Sequence, residues 1–318
     1  MSCVGVSVAG LWAAPQAPRA VDAPALENPA QLERWLSALD DDSRLALCRD
    51  KLLATQLLLD TPVEIIERTT DNLGSEWCRV VVPSQPSSLD ARGYPGWVPA
   101  AQLAEGEGCI AGAEAAMVVA PIAWLQGLPR GRSLKLSFLT RLRLAAPVAD
   151  GAARVRVESP LGQGWLPRDS VQLPGECFPA TAASLEMLGR RFDGLRYLWA
   201  GNSSFGYDCS GLVHSLFAAI GIRLPRDAHD QVETGLPVAL DARRAGDLLF
   251  FEKPNNEGRL VVDHVALYLG DDRMLHSPTN NARIECRRLA GSRYETQLCA
   301  VRRFLDPGDP GTAIPAGT

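Results

Sequence analysis

The amino-acid sequence predicts two small all-β units followed by an α+β domain. Short β-rich runs, broken by Asp, Asn and Pro, begin at Val63. The pattern Gly-Trp-apolar-Pro then occurs twice, around Trp97 and Trp165, as expected for two related β units. From about residue 180, helical patterns alternate with short apolar runs, which is typical of an α+β domain.

Composition and charge exclude several classes of protein. The chain has 318 residues, of which 46% are hydrophobic, so it can form a sizeable core and is expected to contain two or three domains. Its formal charge is −5 and it lacks a Lys/Arg-rich block, which argues against nucleic-acid binding. No uncharged apolar run reaches 18 residues, so we expect no insertion into a membrane.

The boundaries follow from where the residue pattern changes. Residues 1–59 are predicted to form an N-terminal arm and helices that pack on the β units, because apolar residues recur there at helical spacing as far as Leu57. The first β unit is assigned to 60–105 and the second to 113–173. Residues 180–305 form the α+β domain, and the Gly/Pro-rich stretch 306–318 is expected to be a disordered tail.

Three aromatic residues stand out in the β units. Trp97 and Trp165 fit as core residues at strand ends, and for Trp165 a binding role is an equal alternative. Tyr94 lies between Gly93 and Pro95, and this composition predicts a tight loop that presents the ring for binding.

The cysteines and the first residues bear on the compartment. Eight scattered cysteines include no CxxC pair and no Cys/His ligand spacing, so no zinc site is expected, and no nucleotide or flavin motif indicates a cofactor. Met1–Pro18 lacks the basic start of a secretory signal. We therefore expect buried, reduced thiols and a cytoplasmic location, with export to the periplasm or beyond as the alternative.

A candidate nucleophile lies at the start of a helix. Asp208-Cys209-Ser210-Gly211 leads into an apolar-faced helix predicted over residues 209–220. At a helix N-terminus, the dipole and the unpaired N–H groups favour thiolate and stabilise an oxyanion. Cys209 is therefore predicted to be a nucleophile.

The sequence contains four histidines that could act as the general base. His214 lies about 140° round the helix from Cys209 and cannot face it. His264 interrupts an apolar strand, and the chain reverses at Gly270 before His276, so the two rings are expected on neighbouring strands. We assign His264 as the base and His276 as the group that orients it. Spacing alone also allows a buried Cys with two core histidines.

The order of motifs resembles a known family. It runs through Tyr197-x-Trp199-x-Gly201, Gly206-x-Asp208-Cys209-Ser210-Gly211, Leu224-Pro225-Arg226-Asp227, Gly246-Asp247-Leu248 and His264-Val265. Over about residues 180–305 the chain resembles the NlpC-type cysteine peptidases, and the Gly-Trp-apolar-Pro units resemble bacterial SH3-like barrels. The resemblance implies an α+β papain-like catalytic domain preceded by two small all-β SH3-like barrels, and a peptidoglycan-derived peptide as substrate.

Two SH3-like units before the catalytic domain resemble the γ-D-glutamyl-diamino-acid endopeptidase subgroup of that family. The resemblance implies release of L-Ala-γ-D-Glu from peptides with a free N-terminal L-Ala, as in recycling of wall peptides. It also implies that Asp208, Ser210, Asp227 and Tyr94 bind the substrate and that Tyr197 assists the oxyanion.

Two departures from the family pattern are visible. Ala200 replaces a usual glycine, and the acidic residue that the subgroup contributes from its first barrel has no clear match, with Glu64 and Glu67 only nearby. Three other hypotheses remain open: an exported endopeptidase acting on intact peptidoglycan, an inactive wall-fragment binding protein, and an acyltransferase or amidase. The sequence leaves the oligomeric state and the choice between diaminopimelate and lysine open.

Overall fold

Two antiparallel sheets of seven strands account for most of the first half of the chain. The computed structural model describes residues 2–105, 115–255, 257–279 and 282–305. The first sheet has the order β3-β2-β6-β5-β4-β1-β7. Its strands are β1 (Ser2–Val4), β2 (Val8–Trp12), β3 (Leu53–Leu58), β4 (Pro62–Thr70), β5 (Glu76–Val82), β6 (Tyr94–Pro99) and β7 (Leu103–Glu105).

The second sheet repeats the topology of the first. Its strands are β8 (Ala115–Val118), β9 (Ile122–Leu128), β10 (Arg132–Ser137), β11 (Arg141–Leu144), β12 (Arg154–Ser159), β13 (Gly162–Pro167) and β14 (Val171–Gln172). Their order, β10-β9-β13-β12-β11-β8-β14, is the order of the first sheet with every strand number raised by seven. The repeat seen in a tetrapeptide therefore extends over the whole sheet.

The glycine of the repeated pattern has a packing role. A Cβ at Gly96 would lie 2.6 Å from Leu11 Cγ on β2, and one at Gly164 would lie 2.7 Å from Leu125 Cδ1 on β9. Because β2 and β9 are counterparts in the two sheets, the same close approach is built twice. A side chain at either position would force the neighbouring leucine aside.

The first 59 residues contain more strand than the sequence pattern indicates. Strands β1, β2 and β3 belong to the first sheet, and the helices α1 (Ala23–Leu26), α2 (Leu32–Ala38) and α3 (Asp41–Arg49) lie between β2 and β3 in the chain. The helical pattern predicted as far as Leu57 stops at α3. Lys51 adopts a left-handed φ of 48°, and the chain continues as β3.

The aromatic residues of the repeat are placed differently from the prediction. Tyr94 begins strand β6 and is only 5% exposed within the apolar core of the first sheet, so the predicted loop that presents its ring is wrong. Trp165 is 41% exposed on β13, which excludes the core position among its two equally weighted interpretations. Trp97 is half-buried.

Helices and one mixed-length antiparallel sheet form the second half. The helices are α4 (Ala182–Gly189), α5 (Cys209–Ala219), α6 (Ala228–Gln231) and α7 (Arg293–Gln297). Two short strands, β15 (Asn202–Ser203) and β16 (Gly206–Tyr207), precede α5. The sheet has the order β17-β22-β18-β19-β20-β21. Its strands are β17 (Leu236–Val238), β18 (Leu248–Pro254), β19 (Leu260–Gly270), β20 (Arg273–His276), β21 (Glu285–Arg288) and β22 (Leu298–Arg303).

The chain divides into two units. Residues 1–176 and 199–205 form the first, and residues 177–198 and 206–318 form the second. None of the helices in the described ranges has the length and apolar character needed to span a bilayer.

The cysteines differ in part from the prediction. Cys3 is disulfide-bonded, which contradicts the expectation that all thiols are reduced. Cys48, Cys78, Cys177, Cys209, Cys286 and Cys299 are free thiols. Cys109 lies outside the described residues, as does the tail predicted to be disordered.

A buried amide holds the segment that leads towards the nucleophile. Gln56 Oε1, on β3, accepts hydrogen bonds from the Asn202 N–H (3.0 Å) and the Ser203 hydroxyl (2.8 Å). Gln85 Nε2 donates to the Gln56 carbonyl (2.9 Å), and Thr55 Oγ1 donates to Gln85 Oε1 (2.8 Å). These four hydrogen bonds all join residues of the first unit, so the groups that make them stabilise one another.

We predict that Gln56→Leu lowers the free energy of unfolding by roughly 1–3 kcal/mol, because it leaves the Asn202 N–H and the Ser203 hydroxyl buried without an acceptor. Urea denaturation measures the change. Gln126→Leu, at an exposed position of β9, is the matched control and is expected to change stability by less than about 0.5 kcal/mol. Equal losses in the two variants would contradict a specific role for the buried amide.

Candidate active site

Cys209 is the first residue of α5 and lies against β19. The carboxylate of Asp208 caps the helix by accepting from the Gly211 N–H at 2.6 Å. Cys209 Sγ lies 4.0 Å from the Asp263 carbonyl oxygen and accepts a hydrogen bond from the Val265 N–H. The sulfur therefore contacts the backbone on both sides of His264.

The two predicted histidines are hydrogen-bonded to each other. His264 Nε2 lies 2.8 Å from His276 Nδ1, and both side chains are buried. Tyr294 stacks on His264 (5.1 Å between ring centroids, 29° between planes) and meets His276 edge-on at 4.9 Å. This packing leaves the imidazoles little freedom to rotate.

Burial sets the protonation states of these groups. Burial, followed by the charge of Asp208, raises the pKa of Cys209 to about 12. Burial, with smaller effects of His276 and Arg293, lowers the pKa of His264 well below its ordinary value. Burial also lowers the pKa of His276 to about 3. Thiol and imidazoles are thus neutral near pH 7, and the thiolate expected from the helix dipole is outweighed by loss of solvation.

A fully buried arginine lies behind the nucleophile. Arg226 Nη2 donates to Asp208 Oδ2 (2.8 Å), while its Nη1 donates to Asp208 Oδ1 (3.1 Å) and to Ser210 Oγ (2.9 Å). Asp227 Oδ1 lies 3.8 Å from the same guanidinium. The three residues predicted to bind substrate from this unit therefore surround one cation.

Arg226 is a site residue that the sequence interpretation missed. It was visible in the Leu224-Pro225-Arg226-Asp227 motif, but nothing in the spacing shows that it pairs with Asp208, 18 residues earlier. Asp208 is the N-cap of α5 and the partner of a buried cation, so its carboxylate has a structural function whatever it does towards substrate.

Tyr197 lies in a loop that packs against the strand before the nucleophile. The Tyr197 N–H donates to the Ala282 carbonyl (2.9 Å), and the Leu198 N–H donates to the Tyr207 carbonyl (3.2 Å). A Cβ at Gly206 would lie only 2.6 Å from Leu198 Cβ, so glycine is needed for this close approach.

The remaining candidates have surroundings of their own. Tyr94 belongs to the first unit. His214 is buried within hydrogen-bonding distance of the Leu224 carbonyl (3.0 Å from Nδ1), where it has a packing role. Glu64 and Glu67 are exposed on β4, and each is paired with an arginine, Arg92 and Arg79 respectively.

Ala200, the departure from the family pattern, adopts a positive φ of 59°. This left-handed conformation costs an alanine roughly 1–2 kcal/mol more than a glycine, which accounts for the usual residue at this place.

A cysteine at a helix start beside a histidine on a sheet, with a second histidine behind it, defines a papain-like cysteine peptidase. Residues 194–303 match the model of the NlpC/P60 family. The chain is 40% identical over 303 residues to a γ-D-glutamyl-L-lysine dipeptidyl-peptidase of Bacillus subtilis, covering 95% of this chain and 98% of the relative. A protein of the same name from Bacillus cereus is 34% identical, covering 95% and 90%.

Solved structures show the same relationship. The crystal structure of an NlpC/P60 family protein from Bacillus cereus superposes with a TM-score of 0.87 at 33% identity, covering 96% of this chain and 99% of that one. The chain belongs to the NlpC/P60 family and is a peptidase, as its motifs predicted.

The raised pKa of Cys209 predicts how the free enzyme reacts with an alkylating reagent. Because a raised pKa keeps the thiol neutral to higher pH, we expect alkylation by iodoacetamide to continue to accelerate above pH 9. Peptide mass spectrometry separates Cys209 from the exposed Cys177, and Cys209→Ala provides the blank. A rate that reaches a plateau below pH 7 would instead reveal a stable thiolate–imidazolium pair.

Proposed function

We propose that this protein hydrolyses the bond between γ-D-glutamate and the diamino acid in peptidoglycan stem peptides, releasing L-Ala-γ-D-Glu. The proposal depends above all on the arrangement of Cys209, His264 and His276 in a chain that matches the two dipeptidyl-peptidases over nearly their full length.

In the first half of the reaction, His264 takes the proton of Cys209 as the sulfur attacks the γ-carbonyl carbon. Positive charge on the imidazole is stabilised by its hydrogen bond to His276. The oxyanion is received by the backbone N–H of Cys209 at the start of α5, with Tyr197 assisting. The C–N bond breaks, the protonated base returns its proton to the leaving amine, and a thioester remains on Cys209.

In the second half, water replaces the leaving amine. His264 takes a proton from the water while the water oxygen attacks the thioester carbon, and the C–S bond then breaks. The sulfur recovers its proton, so the neutral thiol of the resting state is restored with release of the dipeptide.

Asp208, Ser210 and Asp227 are proposed to bind the L-Ala-γ-D-Glu end of the substrate. Of the two carboxylates beside Arg226, Asp227 has the more exposed side chain, 22% against 10% for Asp208. Asp227 is therefore the better candidate for pairing with a free α-ammonium. Tyr94, a residue of the first unit, stays a proposed substrate-binding residue on the ground of the family resemblance alone.

The two seven-stranded sheets are proposed to be SH3-like barrels. Their identical strand order and their shared Gly-Trp-apolar-Pro strand support this assignment. The first barrel then takes β1, β2 and β3 from residues 1–59 in addition to 60–105, and the second spans 113–173. Residues 180–305 form the catalytic domain.

Product analysis tests the proposed activity. The purified protein is incubated with L-Ala-γ-D-Glu peptides that carry diaminopimelate or lysine as the third residue, each free or N-acetylated. We expect L-Ala-γ-D-Glu from the free peptides and, because acetylation leaves a carboxylate without its ammonium, about 100-fold lower kcat/KM for the blocked ones. Mass spectrometry identifies the products.

Two variants serve as controls for this experiment. Cys209→Ala removes all cleavage, and Asp227→Asn reduces the preference for the free amine. Equal cleavage of free and blocked peptides would favour a general wall endopeptidase. Binding without cleavage would favour the inactive binding protein, and transfer of the dipeptide to an amine would favour the acyltransferase.

The first candidate acts in the cytoplasm on released wall peptides. One observation favours a second candidate, an exported endopeptidase that acts on intact peptidoglycan. Cys3 is disulfide-bonded, and disulfides persist mainly in oxidising compartments.

Cell fractionation with acid trapping of thiols distinguishes the two locations. The cytoplasmic candidate predicts that the protein remains with the cytoplasmic fraction and that Cys3 is alkylated without prior reduction. An exported enzyme is instead found outside the cytoplasmic membrane, and its Cys3 is alkylated only after reduction. A processed N-terminus would also exclude the cytoplasmic candidate.

A further inference from the structure

The hydrogen-bonded chain that starts at Cys209 does not end at His276 Nδ1. The other ring nitrogen, His276 Nε2, is buried, and it has no hydrogen-bond partner among the described residues. A buried ring nitrogen that carries a proton costs roughly 1–3 kcal/mol when it has no acceptor. The nitrogen therefore needs one during the catalytic cycle.

The strand beside His276 supplies a carboxylate. Glu285 begins β21 and stands directly opposite His276 in the β20–β21 register. Its Oε1 lies 3.5 Å from His276 Nε2, and its side chain is 46% exposed. A rotamer adjustment of under about 1 Å brings this oxygen to hydrogen-bond distance.

Glu285 is held near the histidine by a neighbour. Arg287 Nη1 lies 3.1 Å from Glu285 Oε1, and Arg287 also stacks over Tyr294, the ring that packs on both histidines. The carboxylate is therefore kept close to His276 while its exposed side remains in solvent.

The tautomers of His264 and His276 connect Glu285 to Cys209. To accept the thiol proton at Nδ1, His264 must carry its own proton at Nε2, and that proton points at His276 Nδ1. His276 Nδ1 is then an acceptor, so its proton lies at Nε2, which faces Glu285. One carboxylate at the end of the chain selects the tautomer of both rings.

We propose that Glu285 is a positioning residue that accepts the Nε2–H of His276 and thereby keeps His264 ready to receive the proton of Cys209. This inference rests on the proposed function, since it assigns His264 the role of base.

Glu285→Ala and Glu285→Gln separate this role from a structural one. We expect Glu285→Ala to lower kcat about tenfold with KM within about twofold, because an outer hydrogen-bond partner acts on the base and not on substrate binding. Glu285→Gln keeps an oxygen acceptor and is expected to recover most of kcat. Glu257→Ala, in the exposed turn between β18 and β19, removes a carboxylate that pairs with Arg259; it is the matched control and should leave both constants unchanged.

Nitrogen-15 NMR of the histidine rings reads the tautomers directly. In the wild-type protein we expect His276 protonated at Nε2 and His264 protonated at Nε2, with assignments from a His276→Asn variant. In Glu285→Ala, we expect a mixture of tautomers at His276. An unchanged tautomer at His276 in Glu285→Ala would overturn the proposal.

The NMR measurement does not depend on turnover. If the wild-type protein cleaves none of the peptides, the proposed function fails, yet the spectra still show whether Glu285 sets the tautomer of His276. If the protein cleaves them and the spectra of Glu285→Ala match those of the wild type, only the role of Glu285 is lost.

Discussion

Exclusion of water from the contact between α5 and β19 is the constraint on which the active site depends. It makes charge on Cys209 and on both histidines unfavourable, so the resting site is neutral. The same burial strengthens each hydrogen bond that forms when the proton moves from sulfur to His264. The hydrogen bond between His264 and His276 therefore stabilises the transferred proton and also fixes the orientation of the rings.

Arg226 allows a carboxylate to lie next to a nucleophile that must become negative. Asp208 caps α5 and so fixes where Cys209 stands, but its charge also opposes formation of thiolate. The bidentate guanidinium neutralises that charge and ties Ser210 into the same cluster. Removing Arg226 would leave the carboxylate of Asp208 as a buried charge without its cation.

The duplicated sheets illustrate how one structural requirement can be met twice. Gly96 and Gly164 allow Leu11 and Leu125 to approach closely at equivalent places in the two sheets. The tryptophans that follow differ, because Trp97 is half-buried and Trp165 is exposed. In the first sheet, helices α1, α2 and α3 lie between β2 and β3 in the chain. Through Gln56 on β3, it holds the segment that precedes the nucleophile.

The sequence by itself determined the family, the nucleophile at a helix start and the strands that carry His264 and His276. Each of these features depends on a local residue pattern or on the order of motifs along the chain. It did not reveal β3, because the apolar spacing from Leu45 to Leu57 fits a helix, whereas α3 ends at Arg49 and the left-handed Lys51 precedes β3. The pairing of Arg226 with Asp208 and the approach of Glu285 to His276 were decided by tertiary structure alone. Such contacts join residues that are distant along the chain, and burial, which outweighs the helix dipole at Cys209, exists only once the chain has folded.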